Sequence, residues 1–253
     1  MTKRYGQLTA VDGVTLAVHR GELFGFLGPN GAGKTTTIKM CTGLLRPTSG
    51  HIWIGQYDVV ANPLAAKAIV GYVPDQPILY EKLTGSEFLD FMGGLWGMPP
   101  AERQRKAKEL LELFDLAGAS ADLCEGYSHG MKQKLALAGA LIHDPQVLFL
   151  DEPTVGLDPR SARLIKDLLR GLCQRGVTVF MSTHIMEIAE RMCDRVAIID
   201  HGRIVAIGTV DELRQNGGPG QSLEDIFLQL TGGEEDQELI AYLGERPDEG
   251  GRQ

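Results

Sequence analysis

The chain has 253 residues, 43% of them hydrophobic, a composition that fits one large folded domain and excludes bulk disorder. No apolar run approaches the roughly 18 to 20 residues that cross a bilayer, and the start lacks the apolar block of a secretory signal, so we expect a soluble chain. The scattered cysteines favour a reducing cytosol over a zinc site or a disulfide framework, and the formal charge of -8 argues against a nucleic-acid partner.

The opening third predicts short strands followed by a helix. Hydrophobic residues alternate over residues 14–18, and an apolar run from Leu23 to Leu27 ends at a glycine-rich turn. Residues 35–45 contain no Pro and no Gly before Gly43, as expected of a helix. A strand, a glycine loop and a helix in this order are the context that a phosphate-binding loop requires.

The middle of the chain predicts helices. Apolar residues recur at helical spacing between residues 82 and 126, for example at Ala107, Leu110, Leu111 and Phe114. We therefore expect a helical subdomain, at about residues 77–145, inserted between the strands of the main domain.

The second half returns to alternating strands and helices. Apolar runs at residues 147–150 and 177–181 predict buried strands around a helix, and residues 196–199 and 204–207 predict a hairpin. This order indicates an α/β fold whose mixed sheet is largely parallel, with antiparallel additions, and such sheets bind ligands at the carboxyl ends of their strands.

The C-terminal region differs in composition from the rest. Residues 216–220 predict a flexible break, residues 222–230 one last helix, and the remainder an acidic, mobile tail. Seven acids against two arginines lie past Gly233, so -5 of the charge falls there. We therefore assign residues 1–215 to the folded domain and residues 216–253 to a helix and tail.

The glycine-rich turn matches the phosphate-loop pattern. Its glycines would let backbone N–H groups converge on a polyphosphate at the start of a helix. Lys34 would reach the outer phosphates, and Thr35 would hold Mg²⁺. The residues predicted to bind the nucleotide here are Gly28, Pro29, Asn30, Gly31, Ala32, Gly33, Lys34, Thr35 and Thr36.

Two carboxylates end the strand at residues 147–150. Asp151 suits the coordination shell of Mg²⁺, and Glu152 suits a general base for an attacking water. An Asp-Glu pair at a strand end is more often a helix cap or a solvated turn. The phosphate loop upstream makes the catalytic interpretation the better one.

The segment Tyr127-Ser128-His129-Gly130-Met131-Lys132-Gln133-Lys134 lies about twenty residues before Asp151. With this segment the sequence resembles the nucleotide-binding subunits of ABC transporters, whose signature motif has this position. Without the family, Ser128 is merely a plausible helix cap. The resemblance implies a P-loop NTPase fold of the ABC ATPase type with an inserted helical subdomain.

Further landmarks of the family follow in order. Residues 156–159 resemble the D-loop, with Asp158 in it, and His184 resembles the switch histidine. Tyr5 resembles the aromatic residue that stacks on adenine, although surface packing is the simpler explanation of an isolated Tyr. The short chain and its ending at residues 222–227 are most similar to single-domain ATPases of ABC-2 type exporters.

Three features depart from the family pattern. Asp75 stands where the family has a glutamine and Gln76 comes one place later, so either side chain, or neither, approaches the metal. His129 replaces a glycine of the signature. The chain also begins inside the stretch that normally follows an edge strand, so we expect that strand to be missing and the backbone near Tyr5 to be open.

The resemblance implies a nucleotide-dependent dimer, of two copies or with a similar ATPase subunit. ATP held by Lys34 and Thr35 of one subunit would be covered by Ser128 and Gly130 of the other. Glu152 would polarise the water, and His184 would contact the terminal phosphate. The helical subdomain would dock a separate membrane permease, which places the chain at the cytoplasmic face of the membrane as a peripheral subunit of an exporter.

Three other functions are compatible with parts of the sequence. A non-transport ATP clamp of the same superfamily would act on nucleic acid or ribosomes, but it would usually carry a long coiled coil or two fused nucleotide domains. A small-molecule phosphotransferase would need only the phosphate loop and would leave residues 128–130 without a purpose. A regulatory module without turnover conflicts with the presence of Lys34, Asp151, Glu152 and His184 together.

Overall fold

The computed structural model describes residues 1–217 and 221–231 of the chain. The strands are β1 Lys3–Tyr5, β2 Leu8–Val11, β3 Leu23–Leu27, β4 Trp53–Ile54, β5 Tyr57–Asp58, β6 Val70–Val73, β7 Val147–Asp151, β8 Thr178–Thr183, β9 Arg195–Asp200 and β10 Arg203–Gly208. The α-helices are α1 Lys34–Cys41, α2 Pro63–Ala68, α3 Gly85–Leu95, α4 Pro100–Leu113, α5 His129–Leu141, α6 Pro159–Gln174, α7 Met186–Met192, α8 Val210–Gly217 and α9 Leu223–Thr231.

The main sheet has six strands in the order β10-β9-β3-β8-β7-β6. Neighbouring strands from β9 to β6 are parallel, and β10 is the antiparallel addition at the edge. The predicted hairpin is β9–β10, and the predicted mixed α/β sheet is confirmed. Because helices connect the parallel strands, both faces of the sheet are covered, and every residue of the central strands β3 and β8 is buried.

Hydrophobic clusters cover both faces of this sheet. On one face, Phe180 of β8 contacts Phe24, Phe26 and Phe149 with ring centroids 5.2 to 5.6 Å apart. The other face carries buried side chains such as Leu148 and Leu150, which pack against the helices. Burying both faces fixes the strands, and therefore the loops that follow them, in a rigid frame.

The chain between β6 and β7 contains the helices α3, α4 and α5. Thr84 begins α3 with a capping box, in which its hydroxyl accepts from Glu87 N and the Glu87 carboxylate accepts from Thr84 N. Phe88, Leu111 and Phe114 are buried in the cluster that joins these helices to the sheet. The segment predicted as a helical subdomain therefore holds its helices at residues 85–141 and shares a core with the main sheet.

Two predictions for the first 45 residues are wrong in detail. Residues 14–18 form no strand, because the partners of their backbone are not those of a ladder: Val14 O accepts from the Met1 amino group at 2.7 Å, and Ala17 O accepts from Arg195 Nη1 at 3.4 Å. Helix α1 ends at Cys41 rather than at residue 45, because Gly43 takes a left-handed φ of 68°.

The N-terminal edge is also less open than expected. The residues where the chain begins form the strand β1 themselves, which pairs antiparallel with β2. Thr2 N donates to Ser49 O at 2.9 Å, and Arg4 N donates to Thr48 Oγ1 at 3.0 Å. The backbone next to Tyr5 is therefore paired on both sides, in contrast to the expectation of an open edge.

Two helices follow the hairpin: α9 packs against α7, and α8 packs against α9 and β10. The first two residues of the predicted break at 216–220 end α8, and α9 is the predicted last helix. The acidic tail lies outside the described residues. Within residues 1–217 and 221–231, no helix is both long and apolar enough to cross a bilayer.

Candidate functional site

The site lies where three parallel strands end. Leu27 of β3 pairs with Thr183 of β8, and Asp151 of β7 pairs with Ser182 of β8. The phosphate loop, the Asp151-Glu152 pair and His184 follow directly on these strand ends. Three separate parts of the chain, the phosphate loop more than 100 residues before the other two, are thus brought to one edge of the sheet, where α/β folds bind their ligands.

The phosphate loop fits its surroundings only with glycine at two positions. A Cβ on Gly28 would lie 2.4 Å from Ile199 O, and one on Gly33 would lie 2.5 Å from Ala10 O. Gly33 also has φ 106°, which disfavours any other residue. Helix α1 begins after Gly33 with no side-chain cap. The N–H groups of its first turn are therefore available to an anion.

Lys34 is folded back into the phosphate loop. Its Nζ donates to Gly28 O at 2.8 Å and to Pro29 O at 3.2 Å, and it lies 3.7 Å from Glu152 Oε1. Burial lowers the pKa of Lys34 below its usual value, and the carboxylates of Glu152 and Asp151 partly counter that effect. Incoming phosphate oxygens would offer this ammonium stronger, charged acceptors than the two carbonyls.

Asp151 is buried, and only one of its two carboxylate oxygens has a hydrogen-bond partner. Its Oδ1 accepts from Ser182 Oγ at 2.5 Å, whereas its Oδ2 has no hydrogen-bond partner. A carboxylate oxygen that is buried, ionised and without a partner is costly unless a cation or a donor completes it. Ser182, which orients this carboxylate, was missed in the sequence, where the only signal is a hydroxyl residue near the end of an apolar strand.

Glu152 lies between Lys34 and His184. Its Oε1 accepts from His184 Nδ1 at 2.9 Å as well as lying near Lys34, and its Oε2 is buried without a partner. Glu152 has φ 50°, a left-handed conformation that turns the chain sharply after β7. The structure therefore brings Glu152 close to Lys34 and His184, and their catalytic roles stay a prediction.

Lys34, Asp151 and Glu152 border a cleft of about 220 Å³, and His184 contacts Glu152 without lining it. Most of the predicted phosphate-loop residues face it, and so does Asp75, which follows β6, whereas Gln76 does not line the cleft. Burial, together with the charges of Asp151 and Asp75, raises the pKa of Tyr72 to about 12. The residues lining the cleft are Ala10, Asn30, Gly31, Gly33, Lys34, Thr35, Thr36, Asp75, Asp151 and Glu152.

The predicted signature residues lie away from this cleft. Ser128 caps α5, and its Oγ accepts from Met131 N at 3.3 Å. Asp158 caps α6, accepting from Arg160 N and Ser161 N. Gly130 lies beside the start of α6, where an added Cβ would be 4.0 Å from Asp158 Oδ2. Within one subunit these residues form a second group, separate from the cleft.

Tyr5 also lies outside the cleft lining. Its side chain is exposed, and Lys3 Nζ lies 5.2 Å from the centre of its ring. An exposed aromatic face at the end of the short strand β1 is open to stacking by a flat ligand such as a base. The structure therefore leaves Tyr5 accessible for the predicted role.

The donor set near Asp151 fits Mg²⁺ bound together with phosphate. Among residues 1–217 and 221–231, no three His, Cys, Asp or Glu side chains form a group that would hold a metal alone. Mg²⁺ commonly takes one or two carboxylates and completes its shell with water and substrate phosphates. The unpartnered Oδ2 of Asp151 and the hydroxyl of Thr35 in the same cleft match that requirement.

Comparison with known sequences gives concordant results. The ABC transporter family profile matches residues 11–155. The chain is 42% identical over 229 residues to the linearmycin resistance ATP-binding protein LnrL of Bacillus subtilis. That alignment covers 90% of this chain and 72% of the relative. The chain is 41% identical over 244 residues to the daunorubicin/doxorubicin resistance ATP-binding protein DrrA of Streptomyces peucetius, covering 96% and 74%.

Solved structures agree with the sequence relatives. An ATP-binding subunit of an ABC transporter superposes with a TM-score of 0.84 at 36% identity, over 90% of this chain and 96% of that one. A dimeric ATP-binding cassette in a post-hydrolysis state, bound to ADP and Pi, gives 0.74 at 27% identity over 82% and 94%. With the cleft described above, these matches show that the chain belongs to the ABC transporter family and is one of its ATP-binding, ATP-hydrolysing subunits.

Proposed function

We propose that two such subunits bind ATP and Mg²⁺ between them and drive export through a separate membrane permease. The observation that carries this proposal is the shared contact of Glu152 Oε1 with His184 and Lys34, next to the unpartnered oxygens of Asp151 and Glu152. Phosphate oxygens would suit Lys34, and a cation would suit the unpartnered carboxylate oxygens.

Each side chain of the cleft has a role in hydrolysis. Lys34 exchanges its carbonyl acceptors for phosphate oxygens, and the first turn of α1 donates its N–H groups to them. Releasing Lys34 leaves Glu152 free to accept a proton from water at Oε1, and His184 holds that carboxylate in place. Bound Mg²⁺, held by Asp151 and Thr35, would supply charge to offset that of the phosphates.

The separate position of Ser128 and Gly130 favours a site shared between two subunits. Both lie at the start of α5, whose N–H groups suit an anion, yet they do not line the cleft of their own chain. Binding of ATP between the cleft of one subunit and α5 of another would close the pair. Hydrolysis would remove the bridging charge and release it.

The helical segment offers a surface for the permease. Ile78, Tyr80 and Leu95 are 82%, 54% and 64% exposed, and the ring of Phe91 packs edge-on against Tyr80 at 4.9 Å. This apolar surface follows Asp75 closely in the chain, so it can respond to the occupancy of the cleft. A membrane partner at this surface would hold the chain at the cytoplasmic face of the membrane.

The relatives favour an exporter but name different cargoes. Their names refer to resistance to linearmycin and to daunorubicin or doxorubicin, and another relative, from Ralstonia nicotianae, is a Nod factor export ATP-binding protein. Since the cargo differs among similar ATPase subunits, we assign the choice of cargo to the permease. A non-transport clamp on nucleic acid or ribosomes is the alternative, and it predicts binding of RNA or DNA in place of a permease.

The central test is Glu152→Gln. Removing the general base is expected to slow ATP hydrolysis at least ~100-fold while ATP binding persists, so that ATP and Mg²⁺ trap a dimer. The rate of turnover would be measured from the release of phosphate, and the mass of the dimer would be measured by light scattering. Glu187→Gln, which changes an exposed glutamate paired with Arg191, serves as the control. Near-normal turnover in Glu152→Gln would end the assignment of Glu152 as the base.

A second test addresses the permease surface. Exchanging residues 82–97 for those of a related subunit is expected to alter transport and permease-stimulated hydrolysis, with ATP affinity unchanged. ATP affinity measured by a fluorescent nucleotide analogue provides the comparison. Equal loss of ATP affinity and of transport would contradict a surface dedicated to coupling.

A further inference from the structure

The first turn of α5 is joined to the loop that follows Glu152 by two hydrogen bonds. His129 Nε2 lies 3.3 Å from Val155 O, and Gln133 Nε2 donates to Pro153 O at 3.3 Å. His129 and Gln133 are four residues apart, so they share one face of the helix. Their two acceptors are two residues apart on the facing loop. A carbonyl oxygen only accepts, so the proton of His129 is on Nε2 in this contact.

The two bonds differ in their surroundings. Gln133 is only 3% exposed, and its Oε1 is buried without a partner, so the inner bond is shielded from water. His129 is exposed, and its ring covers Gly156, whose added Cβ would lie 3.2 Å from both Cδ2 and Nε2 of the imidazole. Gly156 has φ 72°. The outer contact therefore depends on a histidine on one side and a glycine on the other.

The loop held by these bonds begins at the catalytic end of the cleft. It runs from Glu152 to Asp158, which caps α6, and Leu157 lies 3.7 Å from an added Cβ on Gly130. A shift of Glu152 would therefore be transmitted through residues 153–156 to the first turn of α5. The two halves of the proposed composite site are mechanically linked within one chain.

We infer that His129 is a positioning residue that ties the start of α5 to the loop after Glu152, so that nucleotide bound in one subunit orients the Ser128–Gly130 segment which that subunit offers to its partner. This consequence rests on the proposed pairing, whereas the link itself is a property of the single chain. A side chain that replaces the usual glycine of the signature thus gains a function in communication between the two sites.

Hydrogen exchange of the single chain without nucleotide tests the link directly. His129→Leu removes the donor and is expected to speed exchange of the amides at residues 154–158 by about 3- to 10-fold, the range for one net hydrogen bond. His129→Gln restores a donor at a similar reach and is expected to stay within about twofold of the natural chain. His51→Leu, which removes an exposed histidine bonded to Asp58, is the control.

A double-mutant cycle with Gly156 tests the ring contact. Gly156→Ala has two costs: alanine is strained at φ 72°, and its Cβ would lie 3.2 Å from the His129 ring. In a His129→Gly background the strain remains, but the contact with the ring is gone. The effect of Gly156→Ala on loop exchange is therefore expected to be smaller by at least about threefold in that background. Equal effects in both backgrounds, or natural exchange rates in His129→Leu, would overturn the link.

The consequence for pairing is measured in the Glu152→Gln chain. Adding His129→Leu is expected to raise the protein concentration needed for ATP-driven dimers by about 3- to 10-fold, with ATP affinity of the single chain unchanged. Unchanged dimerisation would overturn the positioning role. If the Glu152→Gln parent itself formed no dimer, the proposed pairing would fail, and the exchange experiment would still decide whether the link exists.

Discussion

The glycines of the phosphate loop and the glycine of the signature segment stand in different environments. Gly28 and Gly33 are held against backbone carbonyls, where an added Cβ would lie 2.4 and 2.5 Å from oxygen. At Gly130 the nearest heavy atom to an added Cβ is 3.7 Å away. The fold of one chain thus requires the first two glycines, whereas nothing within the described residues of the same chain requires the third.

This difference indicates which parts of the site are complete. The phosphate loop is shaped by contacts inside the subunit, with Lys34 already placed among its acceptors. The signature segment begins α5, where Ser128 caps the helix, and an added Cβ on Gly130 would meet no atom closer than 3.7 Å. A small residue that the fold does not need is expected where a ligand or a second subunit approaches closely.

The largest effect expected from this contrast is on stability. Gly28→Ala should lower the free energy of unfolding by about 3 kcal/mol, because the new methyl group meets the backbone oxygen of Ile199. Gly130→Ala should change it by less than about 0.5 kcal/mol. Urea unfolding of the two variants without nucleotide measures both values. Similar losses in the two variants would remove the contrast.

Metal removal sharpens the comparison at the cleft itself. Asp75 adds a third carboxylate beside Asp151 and Glu152, so ATP without Mg²⁺ enters a negatively charged cleft. Chelation of Mg²⁺ by EDTA should weaken ATP binding. In EDTA, Asp75→Asn should bind ATP about fivefold more tightly than the natural chain, because it removes on the order of 1 kcal/mol of repulsion. Gln76→Ala, which changes a residue outside the cleft lining, should stay within about twofold.

Calorimetry with and without Mg²⁺ gives both affinities for each variant. A fivefold change in Gln76→Ala and none in Asp75→Asn would contradict a cleft in which Asp75, and not Gln76, faces the nucleotide. Equal affinities with and without EDTA in the natural chain would argue against metal-coupled binding altogether.

An effect of similar size is expected at Tyr5, which lies on neither side of the contrast. Tyr5→Ala should weaken ATP binding about fivefold, near the lower end for loss of one stacked base, with unfolding unchanged because the ring is exposed. Tyr5→Phe, which keeps the ring, is the matched control. Comparing ATP with inorganic triphosphate checks the cause, because triphosphate has no base and should bind both variants alike.

Local features of the sequence were sufficient for much of the fold. The apolar run at Leu23–Leu27 before a glycine turn predicted β3 and the loop, and a turn between two apolar runs predicted the hairpin of β9 and β10. The alternating hydrophobic residues at 14–18 predicted a strand that does not form, because the hydrophobic pattern alone does not show which groups bond to the backbone. There the Met1 amino group and Arg195 take the carbonyls that a neighbouring strand would otherwise use.

The site was predictable in its residue types but not in its contacts. Lys34, Asp151 and Glu152 follow from motifs at strand ends, and the sheet register brings them together. The bond from Ser182 to Asp151 and the contact of His129 with Val155 join residues more than 25 positions apart. No local pattern encodes such contacts, because they depend on how two loops meet in space.

The most direct test of the central claim is complementation between two defective chains. Lys34→Ala removes the phosphate ligand, and Gly130→Val blocks the signature segment, each in the Glu152→Gln background that stalls hydrolysis. Alone, each chain should stay monomeric with ATP and Mg²⁺. Mixed together, they should form ATP-dependent dimers, because one intact cleft then faces one intact signature segment. A mixture that remains as monomeric as its components would contradict a nucleotide site shared between two subunits.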